Sequence, residues 1–287
     1  MPSRKLIVIT GPTAVGKTAW SIPLALKYNS PIISCDSRQI YREMRIGTAV
    51  PSPEELAQVR HYFVQDHTIH QPYTAGDYEL EALALMEKLF AEGHEVLVAS
   101  GGTGFYVDAL LYGLGDLPKA DPQLRRDLTL RLESEGIESL RMDLRRLDPE
   151  AYASIDLTNP QRIIRAVEVC LLSGKKFSSF ALDAPKKRDF EVEIICLVRP
   201  RDVLAQRISG RVEAMLREGL VDEVRGLLPH RGLPALRTVG YTEIFDYLDG
   251  NCTLDEAVTR IKTATRHYAK RQLTWWRHHP SVRFLEL

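Results

Sequence analysis

The sequence predicts an α/β fold, a parallel sheet flanked by helices with a helical insertion domain, and three observations carry that expectation. Short β-branched runs alternate with helix-period segments over the first 115 residues, a glycine-rich loop follows the first run, and a charged helical stretch precedes one further apolar run. The 287 residues are 44% apolar, about two domains' worth of chain with ample core material. Intrinsic disorder and a small disulfide-stapled scaffold are thereby excluded.

In chain order, Lys5 to Thr10 (KLIVIT), Pro31 to Ser34 (PIIS) and Glu95 to Ser100 (EVLVAS) are predicted strands, each ending in a polar or glycine-rich turn. In an open parallel sheet ligands bind beyond the carboxyl ends of the strands, which directs attention to Gly11 to Thr18, Cys35 to Gln39 and Gly101 to Gly104. From Leu117 to Asp189 the texture becomes helical. Asp121-Pro122, Asp148-Pro149 and Asn159-Pro160 each place a capping side chain before a proline, the signature of a helix start. Val192 to Val198 (VEIICLV) returns the chain to the sheet, and the remainder reads as helices broken by Gly and Pro around 226 to 240. The expected division is a core of 1–116 with 190–287 and an insertion of 117–189.

Lys plus Arg (38) balance Asp plus Glu (38), so any nucleic-acid surface must be a local patch. Cys35, Cys170, Cys196 and Cys252 form no CxxC pair, which argues against a disulfide framework or a zinc ribbon and fits a reducing cytoplasm. No apolar run approaches the roughly 20 residues that span a bilayer, and the short one at the N-terminus leads straight into the glycine loop, unlike a signal peptide. The expectation is a cytoplasmic protein with no membrane association, monomeric by default.

Gly11-Pro12-Thr13-Ala14-Val15-Gly16-Lys17-Thr18 matches G-x-x-x-x-G-K-[ST] between a predicted strand and a predicted helix, which makes the sheet one of P-loop NTPase type. Backbone N–H groups of such a loop cradle phosphate oxygens, Lys17 adds a point charge, the helix N-terminus adds its dipole, and the Thr18 hydroxyl is a Mg²⁺ ligand. An ordinary glycine turn capping a helix is the competing reading. An NTPase ordinarily places a carboxylate at the end of another apolar strand, yet Glu95 to Ser100 runs into Gly101-Gly102-Thr103. The nearby acid is Asp36, where either a general base or a cap for the following residues accounts for it.

Between Ala257 and Leu285 there is no acid, while Arg260, Lys262, Arg266, Lys270, Arg271, Arg277 and Arg283 are basic. On a helix Lys262, Arg266 and Lys270 align as a positive stripe, with His267, Tyr268, Trp275 and Trp276 nearby, suited to a phosphate backbone; a solvated face over core aromatics is the alternative. Gln161, Arg162 and Arg165, with Arg125 and Arg126 upstream, form a second basic set that phosphate contact or plain surface explains equally.

Taken together these segments resemble the tRNA dimethylallyltransferase family, the isopentenyl transferases that modify adenosine 37 beside the anticodon. The matching stretches, which span nearly the whole chain, are GPTAVGKT (Gly11 to Thr18), SCDSRQIY (Ser34 to Tyr41) with IGTA (Ile46 to Ala49), GGTGFY (Gly101 to Tyr106), NPQRIIRAVE (Asn159 to Glu168), VGY (Val239 to Tyr241) and TRHYAKRQLTWWR (Thr265 to Arg277). The resemblance is to the short bacterial form, without the C-terminal zinc finger of eukaryotic members.

The resemblance implies that the loop, with Arg207 and Arg211, holds the diphosphate of dimethylallyl diphosphate, with Mg²⁺ near Thr18, and that the diphosphate leaves whole. It implies Asp36 as the base on adenine N6, Lys17 as a stabiliser of the leaving group, and Thr103 close to both. It implies tRNA contacts from Asp36, Ser37, Arg38, Gln39, Thr103, Arg125, Gln161, Arg162, Ile163, Ile164, Arg165, Val239, Gly240, Tyr241, Lys262, Arg266 and Lys270 to an anticodon stem-loop whose target base is splayed from its stack. The alternatives are an ATP-dependent small-molecule phosphotransferase, an adenylate isopentenyltransferase, and a non-catalytic RNA-binding module.

Overall fold

A computed structural model describes residues 4–181, 184–279 and 281–287. The chain forms two compact units, Met1–Tyr112 with Lys187–Leu287, and Gly113–Lys186. The second joint falls ahead of the expected 189/190 because Arg188 and Asp189 are tied into the first unit. The Arg188 guanidinium donates to the Glu79 carboxylate and to the carbonyls of Ala109 and Leu110, and Asp189 pairs with Arg4.

The first unit carries six strands, β1 (Lys5–Thr10), β2 (Ile32–Ser34), β3 (His61–Tyr62), β4 (Val96–Ser100), β5 (Glu191–Val198) and β6 (Val282–Glu286). They form one sheet in the order β3-β2-β4-β1-β5-β6, with every pairing parallel. Helices α1 (Lys17–Lys27), α2 (Pro53–Gln58), α3 (Ala75–Ala91) and α4 (Gly104–Tyr112) precede the second unit; α5 (Pro122–Glu135), α6 (Ile137–Leu147), α7 (Pro149–Ser154) and α8 (Pro160–Ser173) belong to it; α9 (Arg201–Arg217), α10 (Leu220–Gly226), α11 (Tyr241–Leu248) and α12 (Leu254–Arg277) follow.

Central β1 is a continuous apolar run because a parallel sheet between helical layers is buried on both faces. Its register sets Ile9 opposite Ser100 on β4 and Ile195 on β5, so the loops leaving β1 and β4 emerge side by side. Edge strands β3 and β6 are absent from the sequence expectation. Two residues carry no periodicity, and β6 alternates only weakly, taking its conformation from parallel pairing with β5.

In the second unit the three expected helix starts form as capped termini. Asp121 accepts the Leu124 N–H at 2.7 Å, Asp148 accepts that of Ala151 at 3.0 Å, and Asn159 accepts those of Gln161 and Arg162. Leu128, Leu140, Leu144, Ile163, Ile164 and Val167 make its core. Among the described residues, no helix is long and apolar enough to cross a membrane.

Candidate active site

The segment between β1 and α1 is the glycine-rich loop expected to form the phosphate cradle. Gly11 takes φ +136°, and a Cβ there would stand 2.4 Å from the Leu197 carbonyl oxygen, so only glycine lets the chain turn this close to β5. The loop is held from outside by three arginines: Arg199 donates to the Val15 carbonyl at 2.8 Å, Arg207 to that of Ala14 at 2.7 Å, and Arg211 to the Thr13 hydroxyl at 3.2 Å. Gln272 of α12 accepts the Thr13 N–H and donates to the Gly102 carbonyl, each at 2.8 Å, bolting the cradle to the loop after β4. The Lys17 ammonium rests on the carbonyls of Gly11 and Pro12. Burial and then the Arg211 charge lower its pKa to about 8, with Asp36 opposing.

Asp36 lies just past β2. Its Oδ1 accepts the N–H groups of Arg38 at 2.9 Å and Gln39 at 3.3 Å, whereas Oδ2 accepts from none of the described residues. Oδ1 therefore caps a turn, since residues 37–40 form no helix, while Oδ2 is left open. Thr103 accepts the Ser37 N–H at 3.0 Å, and its own N–H donates to the Cys35 carbonyl. This close approach requires Gly101, whose Cβ would lie 2.3 Å from the Cys35 carbonyl. Burial, with Asp36 next, pushes the Tyr268 phenol up to about 12, and the Arg38 charge opposes the rise. Asp36, Lys17, Thr18, Arg211, Tyr268 and Gln272 share one cavity of about 70 Å³. A larger groove of about 740 Å³ also reaches Lys17 and Thr18, with Ile46, Val50 and Arg207 in its wall. Among the described residues, no group of three or more His, Cys, Asp or Glu side chains could hold a metal ion. Thr18 is the hard oxygen donor beside the cradle.

Several residues expected to touch RNA are placed otherwise. Ile163 and Ile164 are at most 1% exposed in the core of the second unit. Turning either outward would forfeit about 1.5–3 kcal/mol of burial, so both are corrected to core residues, while Gln161 and Arg162 remain exposed. Arg125 and Arg165 both pair with the buried Glu168, which leaves one uncompensated positive charge between them. Tyr241 is fully buried and is likewise corrected to a structural residue; Gly240 beside it is buried and Val239 partly so. The Gln39 amide nitrogen donates to the carbonyls of Thr48 and Ala49, an internal strut. On α12, Lys262 is paired with Glu213 at 2.7 Å and Arg266 donates back to the Lys262 carbonyl, while Lys270 is exposed between two grooves. One groove carries Arg199, Arg201, Arg266 and Arg277, the other Arg271 and Trp275.

A family model described as IPPT, IPP transferase, matches residues 39–279. The chain belongs to that family. It is 46% identical over 284 residues to the tRNA dimethylallyltransferase of Christiangramia forsetii, covering 99% of this chain and 94% of that protein. It is 44% identical over 279 residues to tRNA dimethylallyltransferase 1 of Bacteroides thetaiotaomicron, covering 97% and 90%. Among solved structures, the tRNA isopentenylpyrophosphate transferase of Bacillus halodurans superposes with a TM-score of 0.70 at 38% identity, covering 99% of this chain and 90% of that one. A eukaryotic dimethylallyltransferase acting on tRNA superposes with a TM-score of 0.82 at 26% identity, covering 99% and 74%.

The structure brings to the cradle and its two cavities four residues that the sequence reading did not assign there. Arg199 follows β5, and applying the strand-end rule to that strand reaches it. Gln272 and Tyr268 lie inside the quoted stretch TRHYAKRQLTWWR without an individual signal. Glu223, which lines the larger groove, has none at all.

Proposed function

We propose that this chain transfers the dimethylallyl group of dimethylallyl diphosphate to N6 of adenosine 37 in tRNAs that read codons starting with U, giving N6-(dimethylallyl)adenosine and diphosphate. The observation that carries the reading is the small cavity that both the glycine-rich loop and Asp36 line, with Ser100 and not an acid at the end of β4. A cradle without a carboxylate at the end of β4 suits a diphosphate that departs whole, and an acid past β2 in the same cavity suits a nucleophile that must lose a proton.

In this reading the loop N–H groups, Lys17 and Arg211 bind the diphosphate and stabilise the charge that builds on it as the carbon–oxygen bond of the donor breaks. N6 forms the new bond to that carbon, and its proton passes to Asp36 Oδ2. Thr103 fixes Ser37, and through it the direction of the Asp36 side chain. Mg²⁺ is commonly held by substrate phosphates and few protein oxygens, and the Thr18 hydroxyl would supply one such oxygen beside the loop. Bound there, Mg²⁺ would neutralise diphosphate charge. The anticodon stem-loop is the proposed RNA partner, engaged by the exposed cations of α12 and by Gln161 and Arg162.

The test is transfer of label from dimethylallyl diphosphate, with Mg²⁺, into unmodified tRNA, beside tubes offering AMP or a tRNA with guanosine at position 37. Label in the first tube alone is expected. Label in AMP would move the acceptor to a free nucleotide, and no label anywhere would overturn the reading.

A further inference from the structure

Two motifs far apart in the chain, Ile46 to Ala49 and Val239 to Tyr241, meet on one carboxylate. Glu223 of α10 accepts the N–H groups of three consecutive residues, Arg45 at 3.0 Å, Ile46 at 2.7 Å and Gly47 at 3.0 Å, and the Tyr241 hydroxyl donates to it at 2.7 Å. The Tyr241 ring lies flush on the loop, since a Cβ on Gly47 would fall 2.5 Å from it. Such charge-assisted bonds are the stronger class, and removing the carboxylate would orphan several donors at once.

The gathered loop is not a remote surface turn. Its carbonyls at Thr48 and Ala49 take the Gln39 amide at 3.1 and 2.8 Å, and the Gln39 N–H donates to Asp36 Oδ1. Ile46, Ala49 and Val50 wall the large groove that reaches Lys17 and Thr18. The Glu223 contacts form a latch that is thus connected to Asp36 through Gln39 and to the groove beside the cradle through its wall.

We infer that Glu223 and Tyr241 are positioning residues for the prenyl transfer, holding the 45–49 loop so that Gln39 sets Asp36 and the loop walls the donor groove. The inference rests on the reading of the reaction given above. Misplacing a reacting group by about 1 Å costs on the order of a hundredfold in rate, so loosening the latch should act on kcat and on donor KM together while leaving tRNA affinity alone.

The experiment measures label transfer to tRNA, amide hydrogen exchange at Arg45 to Gly47, and thermal unfolding for the full chain, for Tyr241→Phe, Glu223→Gln, Glu223→Asp and Gln39→Ala, and for Glu223→Gln combined with Gln39→Ala. The expected result is faster exchange at those amides in Glu223→Gln, a loss of about ten- to hundredfold in kcat/KM for the donor, a smaller loss in Tyr241→Phe, and partial rescue in Glu223→Asp. The loss in the double variant should be less than the product of the single losses, because both act through one strut. Unchanged transfer with faster exchange would overturn the positioning role, and so would multiplicative losses or a tRNA KM that moves with the donor KM. If Glu223→Gln does not fold, Tyr241→Phe decides by the same donor-against-tRNA comparison. Absence of transfer by the unaltered protein would refute the reaction itself, while the exchange data would separately report whether the latch exists.

Discussion

At the scale of single residues, the site pairs a cation eased toward neutrality with a carboxylate whose two oxygens do different work. Lys17 is enclosed beside Arg211, which brings its pKa to about 8 from the ordinary lysine value. In the free protein it therefore loses its charge as pH rises through about 8, and attraction for a diphosphate falls with it. The stability consequence has the opposite sign. Between about pH 8 and its ordinary value near 10.4 the unfolded chain still holds the proton that the folded chain has released, so this group's contribution to stability rises with pH. The profile of kcat/KM for dimethylallyl diphosphate should be level at neutral pH and decline with a single-proton limb near pH 8, since that parameter reports free-enzyme pKa values. A profile level to about pH 10 would show that Lys17 keeps its charge throughout.

At the scale of elements, α12 serves two purposes along one helix. Its buried side holds Ala257, Ile261, Ala269, Gln272 and Trp276, and Gln272 is the bolt between the cradle and the loop after β4. Its other side presents the basic residues, which are unequal. Lys262 is already neutralised by Glu213, whereas Arg266 and Lys270 have no acidic partner among the described residues. Each phosphate contact contributes about 0.7–0.9 to the slope of log K against log salt. Replacing Arg266 and Lys270 together by Ala should lower the slope for tRNA by about 1.4–1.8, and Lys262→Ala should lower it by clearly less. Salt titration of tRNA binding checks this, and equal effects from all three positions would mean that the Glu213 pair opens to receive RNA.

At the scale of the whole molecule, what was legible in the sequence was what short stretches specify by themselves. Buried β1, β2, β4 and β5 announce themselves as apolar runs, the three Asx-Pro pairs mark helix starts, and the cradle is spelled out in eight contiguous residues. Strands β3 and β6 were not legible because pairing, not pattern, makes them. The same division holds in the site. Asp36 follows from the strand-end rule, but Gln272 and Glu223 come from helices late in the chain, and their partners are chosen by the fold. Ile163 and Ile164 show the converse, since a motif stretch spans all faces of its helix and the 3.6-residue period turns Ile163, Ile164 and Val167 inward while Gln161 and Arg162 stay exposed.

The claim on which the rest depends is that the cradle and Asp36 serve one reaction in one cavity. The most direct measurement is a single-turnover transfer of label from dimethylallyl diphosphate to tRNA by Asp36→Asn beside the unaltered chain, with binding of both substrates measured separately. Loss of about a hundred- to ten-thousandfold in the chemical step with both affinities retained is the predicted result, the range expected when a general base is removed. Transfer at the normal rate would contradict the account by removing Asp36 from the chemistry.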